Sequence, residues 1–141
     1  MDADHFKRIN DTVGHQGGDS VIKEIASRIK NNIKSRDIVA RIGGEEFVVI
    51  TSASNKSDSA KLAERIRAAI ENEPVRLEGA TSVVAVSASI GLCWAPYQSL
   101  NGEIPTITSL LIAKADAALY LAKSSGRNCV RAVDLSEHSS D

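Results

Sequence analysis

The sequence has 141 residues, 43% hydrophobic and 25% charged, the composition of one ordinary globular domain with room for a real core. Lys and Arg number 17 against 18 Asp and Glu, a formal net charge of −1, which argues against a general nucleic-acid or anionic-membrane binder and leaves room for a local basic pocket. Cys93 and Cys129 lack metal-binding spacing and read as free thiols of a reducing cytoplasm, and neither a signal peptide nor an apolar run of membrane-span length is expected.

In chain order, Met1–Ala3 reads as the end of a strand. "GDSVIKEIASRIKNNI" (18–33) sets Val21, Ile22, Ile25, Ile29 and Ile33 on one helical stripe. "DIVARI" (37–42) and "FVVI" (47–50) predict a hairpin whose turn uses Gly43 and Gly44 for their access to positive φ. "SDSAKLAERIRAAIEN" (57–72) predicts a second helix capped by Ser57 or Asp58, with Leu62, Ala63, Ile66 and Ile70 inward. A short strand at 75–77 precedes a long one at 83–95. "TSLLIAKADAALYLAKSSG" (108–126) predicts a third helix that Gly126 stops. A closing strand covers 128–133, and the apolar-poor residues 134–141 read as a frayed tail. The pattern predicts an α+β fold, a ferredoxin-like sandwich with helices packed on a mainly antiparallel sheet.

Chemistry concentrates in two places. The turn "RIGGEEF" (41–47) sets Glu45 beside Glu46, although a plain turn needs no pair of repelling carboxylates. The opening segment "MDADHFKRINDTVGHQGGD" (1–19) alternates Asp2 with Asp4 and adds Lys7, Asn10, Asp11, His15 and Asp19. Taken singly, each has a bland explanation: a solvated Lys, a helix-capping Asp19, an Asn10–Asp11 turn, a hydrogen-bonding His15. Jointly they suit one task. Carboxylates from adjacent strand ends hold hard divalent cations beside phosphates. Bare glycine backbone lets a phosphate or sugar come close. An amide at Asn10 with a carboxylate at Asp19 matches the donor and acceptor edge of guanine, and Lys7, Lys123 and Arg127 are available to phosphates.

"DADHFKRINDTVGHQGGD", "ARIGGEEF" and "ADAALYLAKSSGRN" together resemble the GGDEF family of diguanylate cyclases in its GGEEF variant. The resemblance runs from Asp2 to about Val133. It implies a domain over 1–133 that lacks its first helical segment and most of its first strand, followed by the tail 134–141. It also implies a palm-type fold and condensation of two GTP into cyclic di-GMP and pyrophosphate. Two Mg²⁺ per site, or Mn²⁺, would be held by Asp2, the Ala3 carbonyl and Glu45. Glu45 would also be the general base and Lys7 a transition-state stabiliser. Phe6, Asn10, His15, Asp19, Gly43, Gly44, Glu46, Lys123 and Arg127 would bind GTP. A homodimer is implied for catalysis, as is an upstream sensor domain, which could tether the protein to a membrane. The family's product-inhibition motif, Arg-x-x-Asp, is degenerate here, with Lys34 at the Arg position and Asp37 in place. The rival reading is an inactive signalling or dimerisation module that binds GTP or cyclic di-GMP. With so little chain ahead of Asp2, the expectation is either strand or helix contacts recruited from a second copy or a frayed N-terminus and poorly formed metal site, with little or no cyclase activity from this piece alone.

Overall fold

The computed structural model describes residues 1–138. The main elements are β1 (Asp2–Ala3), α1 (Phe6–Asn32), β2 (Ile38–Arg41), β3 (Phe47–Ile50), α2 (Lys56–Glu71), β4 (Val75–Arg76), β5 (Val83–Val84), β6 (Ala88–Trp94), α3 (Ile104–Ser124) and β7 (Val130–Asp134).

Short as it is, β1 is the joint of the molecule. One edge pairs antiparallel with β6, Asp2 opposite Ser89 and Ala3 opposite Ala88. The other edge meets the β2–β3 hairpin, where Asp2 faces Glu46, the Phe47 N–H donates to the Met1 carbonyl at 2.9 Å and the Met1 amine donates to the Phe47 carbonyl at 2.8 Å. The first strand is therefore gripped on both sides, contrary to the fraying its length suggested. Beyond β6 lies β7, paired in parallel from Ile90↔Val130 to Trp94↔Asp134. That pairing adds a parallel ladder to a sheet otherwise antiparallel, because α3 carries the chain back to the starting end as a crossover must. A separate ribbon joins β4 to β5.

The apolar stripe of α1 (Val21, Ile22, Ile25, Ile29) is buried, as are Ala63, Ile66 and Ile70 of α2, and they share one core with Phe6, Phe47, Val75 and Ala88. Helix α3 covers β6 and β7. Its approach is so close that a side chain at Gly91 would run into the Ala115 carbonyl and the Leu119 backbone.

Several boundaries differ from the sequence reading. Helix α1 begins at Phe6 rather than Gly18, and it is two helical pieces joined at Gly14, whose φ of 74° and ψ of 172° interrupt the spiral. Asn10 and Asp11 are therefore helical rather than a turn. The α2 cap is Asn55, whose side chain accepts from the Asp58 N–H, not Ser57 or Asp58. The predicted long strand breaks at 85–87, where the chain changes partner: Val83–Val84 pairs with β4, and Ser87 turns its carbonyl to the Asp4 N–H at 2.9 Å. Helix α3 starts earlier, at Ile104, with Pro105 in its first turn, where a missing N–H costs nothing. At 21 residues it is long and apolar enough to cross a membrane by length and composition, which corrects the expectation that no segment reaches span length; its packing here is that of a helix covering a sheet. The closing strand β7 runs to Asp134, a buried carboxylate bonded by Ser136 and Lys56. Residues 139–141 of the expected tail lie outside the described residues.

Candidate functional site

The hairpin turn hangs directly over the first strand. Ile42 N–H donates to the Glu46 carbonyl at 2.9 Å, closing the turn, and Ala3 N–H donates to the Glu45 carbonyl at 3.1 Å. Arg41 braces the loop from below, its guanidinium donating to the carbonyls of Gly43 at 3.0 Å and Gly44 at 2.8 Å. The two glycines do not serve the purpose predicted, since neither has positive φ. A Cβ at Gly43 would stand 2.6 Å from a Glu46 carboxylate oxygen, which an exposed, flexible Glu46 can relieve by moving aside. Around Gly44 the space is open.

This ladder sets Asp2 beside Glu45 and Glu46. The Asp2 carboxylate is buried and accepts from Lys123 Nζ at 2.9 Å. Burial pushes the Glu45 carboxyl above its ordinary range; the Asp2 and Glu46 charges push the same way, and Lys123 opposes them. Crowded anionic charge of this kind is relieved by a cation. Among the described residues no three acidic, imidazole or thiol side chains form a ready-made metal cage, so a metal needs a backbone ligand as well. One is at hand: Ala3 donates its N–H to Glu45, but no return bond from the Glu45 N–H occupies the Ala3 carbonyl. Two carboxylates and a free carbonyl are hard oxygen donors suited to Mg²⁺ or Mn²⁺. The residues fit the ion.

The first piece of α1 supplies the second half of the site. Its N-cap, His5, is left-handed (φ 54°) and makes no side-chain cap bond, so the leading N–H groups at Phe6 and Lys7 remain available, as at any helix start, to an anion. Lys7 is exposed, whereas the Phe6 ring is in the core. One turn on, Asn10 Oδ1 is buried with no hydrogen-bond partner. Across the Gly14 kink, Gly18 lies against that oxygen so closely that any side chain at 18 would strike it. The kink thus brings Asn10 next to Gly18–Asp19, the two positions read as a guanine edge. Asp19 and His15 are exposed, and among the described residues neither they nor Lys7 and Arg127 have a side-chain hydrogen bond or ion pair.

At the other end of the site, Lys123 ends α3 and Arg127 follows in the turn to β7. The proposed feedback position is committed elsewhere: Asp37 accepts from the Lys34 N–H at 2.8 Å while its own N–H returns to the Lys34 carbonyl at 3.0 Å. The Lys34 N–H bond to the carboxylate is the main reason the Asp37 carboxyl lies below its usual range.

Two residues of consequence were not singled out as site residues in the sequence. Asp4 is buried and accepts from Ser87 Oγ, Ser89 Oγ and the Asn128 N–H. Asn128 adds side-chain bonds to Arg67 and Glu71. The Asp2/Asp4 alternation was a signal for the first, since i and i+2 share a strand face. The second depends on contacts 57 and 61 positions away in the chain, which no local pattern carries.

Comparison with known proteins now settles the family. Residues 1–129 match the family described as diguanylate cyclase, GGDEF domain. The chain belongs to the GGDEF family. This GGDEF domain is 39% identical over 130 residues to diguanylate cyclase A of Treponema denticola, covering 92% of the chain and 33% of that relative. It superimposes on the GGDEF domain of YfiN from Pseudomonas aeruginosa with a TM-score of 0.79, at 37% identity, covering 95% of this chain and 79% of that one. It superimposes likewise on the GGDEF domain of DgcB from Caulobacter crescentus, a structure in complex with cyclic di-GMP, with a TM-score of 0.78 at 36% identity, covering 93% and 73%. The chain spans between 27% and 34% of the length of the first curated relatives it matches.

Proposed function

We propose that this GGDEF domain is the catalytic part of a diguanylate cyclase, joining two GTP into cyclic di-GMP with release of two pyrophosphates. The observation that carries the reading is the hydrogen-bonded seating of the Glu45 turn on the Asp2 strand beside Lys123, in a chain of this family. Asp2, the Ala3 carbonyl and Glu45 would hold Mg²⁺ or Mn²⁺. Such an ion, when bound, polarises the α-phosphate and offsets the charge of the departing pyrophosphate.

The chain's own residues do the rest. Asn10 Oδ1 takes a guanine N–H and Asp19 takes another, while the N–H groups opening α1 and the Lys7 ammonium hold phosphate oxygens. Lys123 exchanges Asp2 for an outer phosphate, joined there by Arg127. Glu45 accepts the proton of the ribose 3′-hydroxyl as its oxygen attacks the α-phosphorus of a second GTP. Each domain holds one GTP, so two copies face each other with nucleotides antiparallel, and the enzyme works as a homodimer.

The test is direct. The chain incubated with GTP and Mg²⁺ yields cyclic di-GMP, resolved by nucleotide chromatography. Glu45→Gln lowers turnover by about 10²-fold or more, the scale of a lost general base, with an unchanged circular dichroism spectrum. A Gln variant turning over near the original rate removes Glu45 from the role of base.

A further inference from the structure

We propose that Asp4 and Asn128 clamp the α3–β7 turn and thereby fix the backbone from which Arg127 reaches out, so that both are positioning residues for the outer phosphates of a nucleoside triphosphate. The inference rests on the guanine-nucleotide reading of the site.

The turn is held in a conformation it would not choose. Gly126, Arg127 and Asn128 have φ of 104°, 65° and 46° in succession. Glycine takes positive φ freely and Asn tolerates it, but Arg does not. Such a backbone persists only where its surroundings impose it, and it is commonly found at ligand sites. A turn selected for ease of folding would place Gly or Asn at 127.

The surroundings that impose it converge on Asn128. Its backbone N–H donates to Asp4 Oδ2 at 3.0 Å. Its side-chain oxygen accepts from Arg67 at 2.6 Å, and its side-chain amide donates to Glu71 at 2.6 Å. Arg67 is itself seated between Glu64 and Glu71 on α2. Asp4 is pinned in turn by hydroxyls from Ser87 at 2.7 Å and Ser89 at 2.6 Å, and Ser89 is fully buried. On the other flank, Arg127 N–H donates to the Ala122 carbonyl at 3.1 Å. Every anchor grips backbone or the neighbouring residue. The Arg127 side chain, exposed among the described residues, is left without a hydrogen bond or ion pair.

The location gives this a purpose. Asp2 lies in β1 and Asp4 one residue past its end, where its N–H still bonds the Ser87 carbonyl beside β6. Asp2 meets Lys123, one helical turn before Arg127, and Asp4 meets Asn128, the residue after it. One pair of carboxylates thus sets the two cations of the α3 end in fixed relation to the Glu45 turn. An Arg whose backbone is fixed loses less freedom on binding phosphate than one on a mobile turn.

The experiment measures nucleotide affinity by displacement of a fluorescent guanine nucleotide from the full chain, with GMP and GTP as competitors. Asn128→Gly keeps a residue that accepts positive φ and deletes both side-chain anchors. It should weaken GTP by roughly tenfold and GMP by less than about twofold, as loss of one outer-phosphate contact would. Introduced into an Arg127→Ala background, it should have no further effect on GTP, because the two changes remove the same interaction. Ser87→Ala, a milder change that removes one donor to Asp4 Oδ2, should shift GTP in the same direction by less. Equal weakening of GMP and GTP, or additive losses in the double variant, would show a merely structural clamp and overturn the proposal. A parent chain that binds neither nucleotide overturns the guanine reading, and the clamp's purpose with it.

Discussion

Asn10 carries the sharpest chemical statement of any single residue. Its Oδ1 is buried and unpartnered, and an unmet buried acceptor costs roughly 1–3 kcal/mol. The helix kink at Gly14 and the bare surface of Gly18 keep it that way, since any side chain at 18 would occupy the space. In the proposed reading guanine offers N1–H and N2–H donors to Asn10 and Asp19, whereas adenine would turn an acceptor toward the same carboxylate. GTP should therefore compete for the site at least tenfold better than ATP, and Asn10→Ala should erase about tenfold of the GTP affinity, the lower part of that energy range. Equal displacement by ATP and GTP in the same competition assay would dismiss the guanine edge. The residue types of this edge were readable from the sequence. Their meeting was not, because it depends on a kink that local periodicity takes for the end of a helix.

At the scale of elements, the site is held together by how closely α3 lies on β6. Gly91 has the Ala115 carbonyl and Leu119 backbone immediately above it, so Gly91→Ala must lift the helix or bend the strand. Overpacking against backbone costs about 1–3 kcal/mol, and urea unfolding should show a loss of that size. Because Lys123 and Arg127 ride on the end of the same helix, GTP affinity should fall in step. A variant with the parent's unfolding midpoint would mean that the contact relaxes freely. Elements with strong periodicity were legible in the sequence: the Val21–Ile29 stripe, the Ile66 and Ile70 face of α2, and both hairpin strands. Those governed by partners distant in the chain were not. Ser87 leaves the long strand because Asp4 claims its carbonyl and hydroxyl, and Asn55 rather than Ser57 caps α2 by reaching the Asp58 N–H. The parallel β6–β7 ladder follows from α3 acting as a crossover, which strand composition alone does not reveal. Of the candidate site, Asp2, Lys7, Glu45, Lys123 and Arg127 were named from the motifs, while the bonds that hold the turn around Arg127 are long-range and carry no local signal.

For the molecule as a whole, the proposed function sets one decisive constraint, one GTP seat per site. In that proposal the Glu45 turn accepts a proton from the 3′-hydroxyl of its own nucleotide, and the attacking oxygen needs an α-phosphorus held by a second domain. The chain's net charge of −1 puts little electrostatic repulsion in the way of two copies meeting. Below the concentration at which they associate, the initial velocity should therefore rise with the square of chain concentration and become linear above it. Fusing two copies through a flexible Gly/Ser linker should abolish the square-law region, since tethering supplies effective concentrations in the millimolar range. An excess of Glu45→Gln chains mixed with unaltered chains should suppress cyclic di-GMP disproportionately, because the two half-reactions of the proposed mechanism draw one base from each partner. Velocity strictly proportional to concentration in samples that light scattering shows to be monomeric, with no gain from the tether, would place both nucleotides on one chain and require a second seat beyond the proposed Asp2–Glu45–Asn10 arrangement.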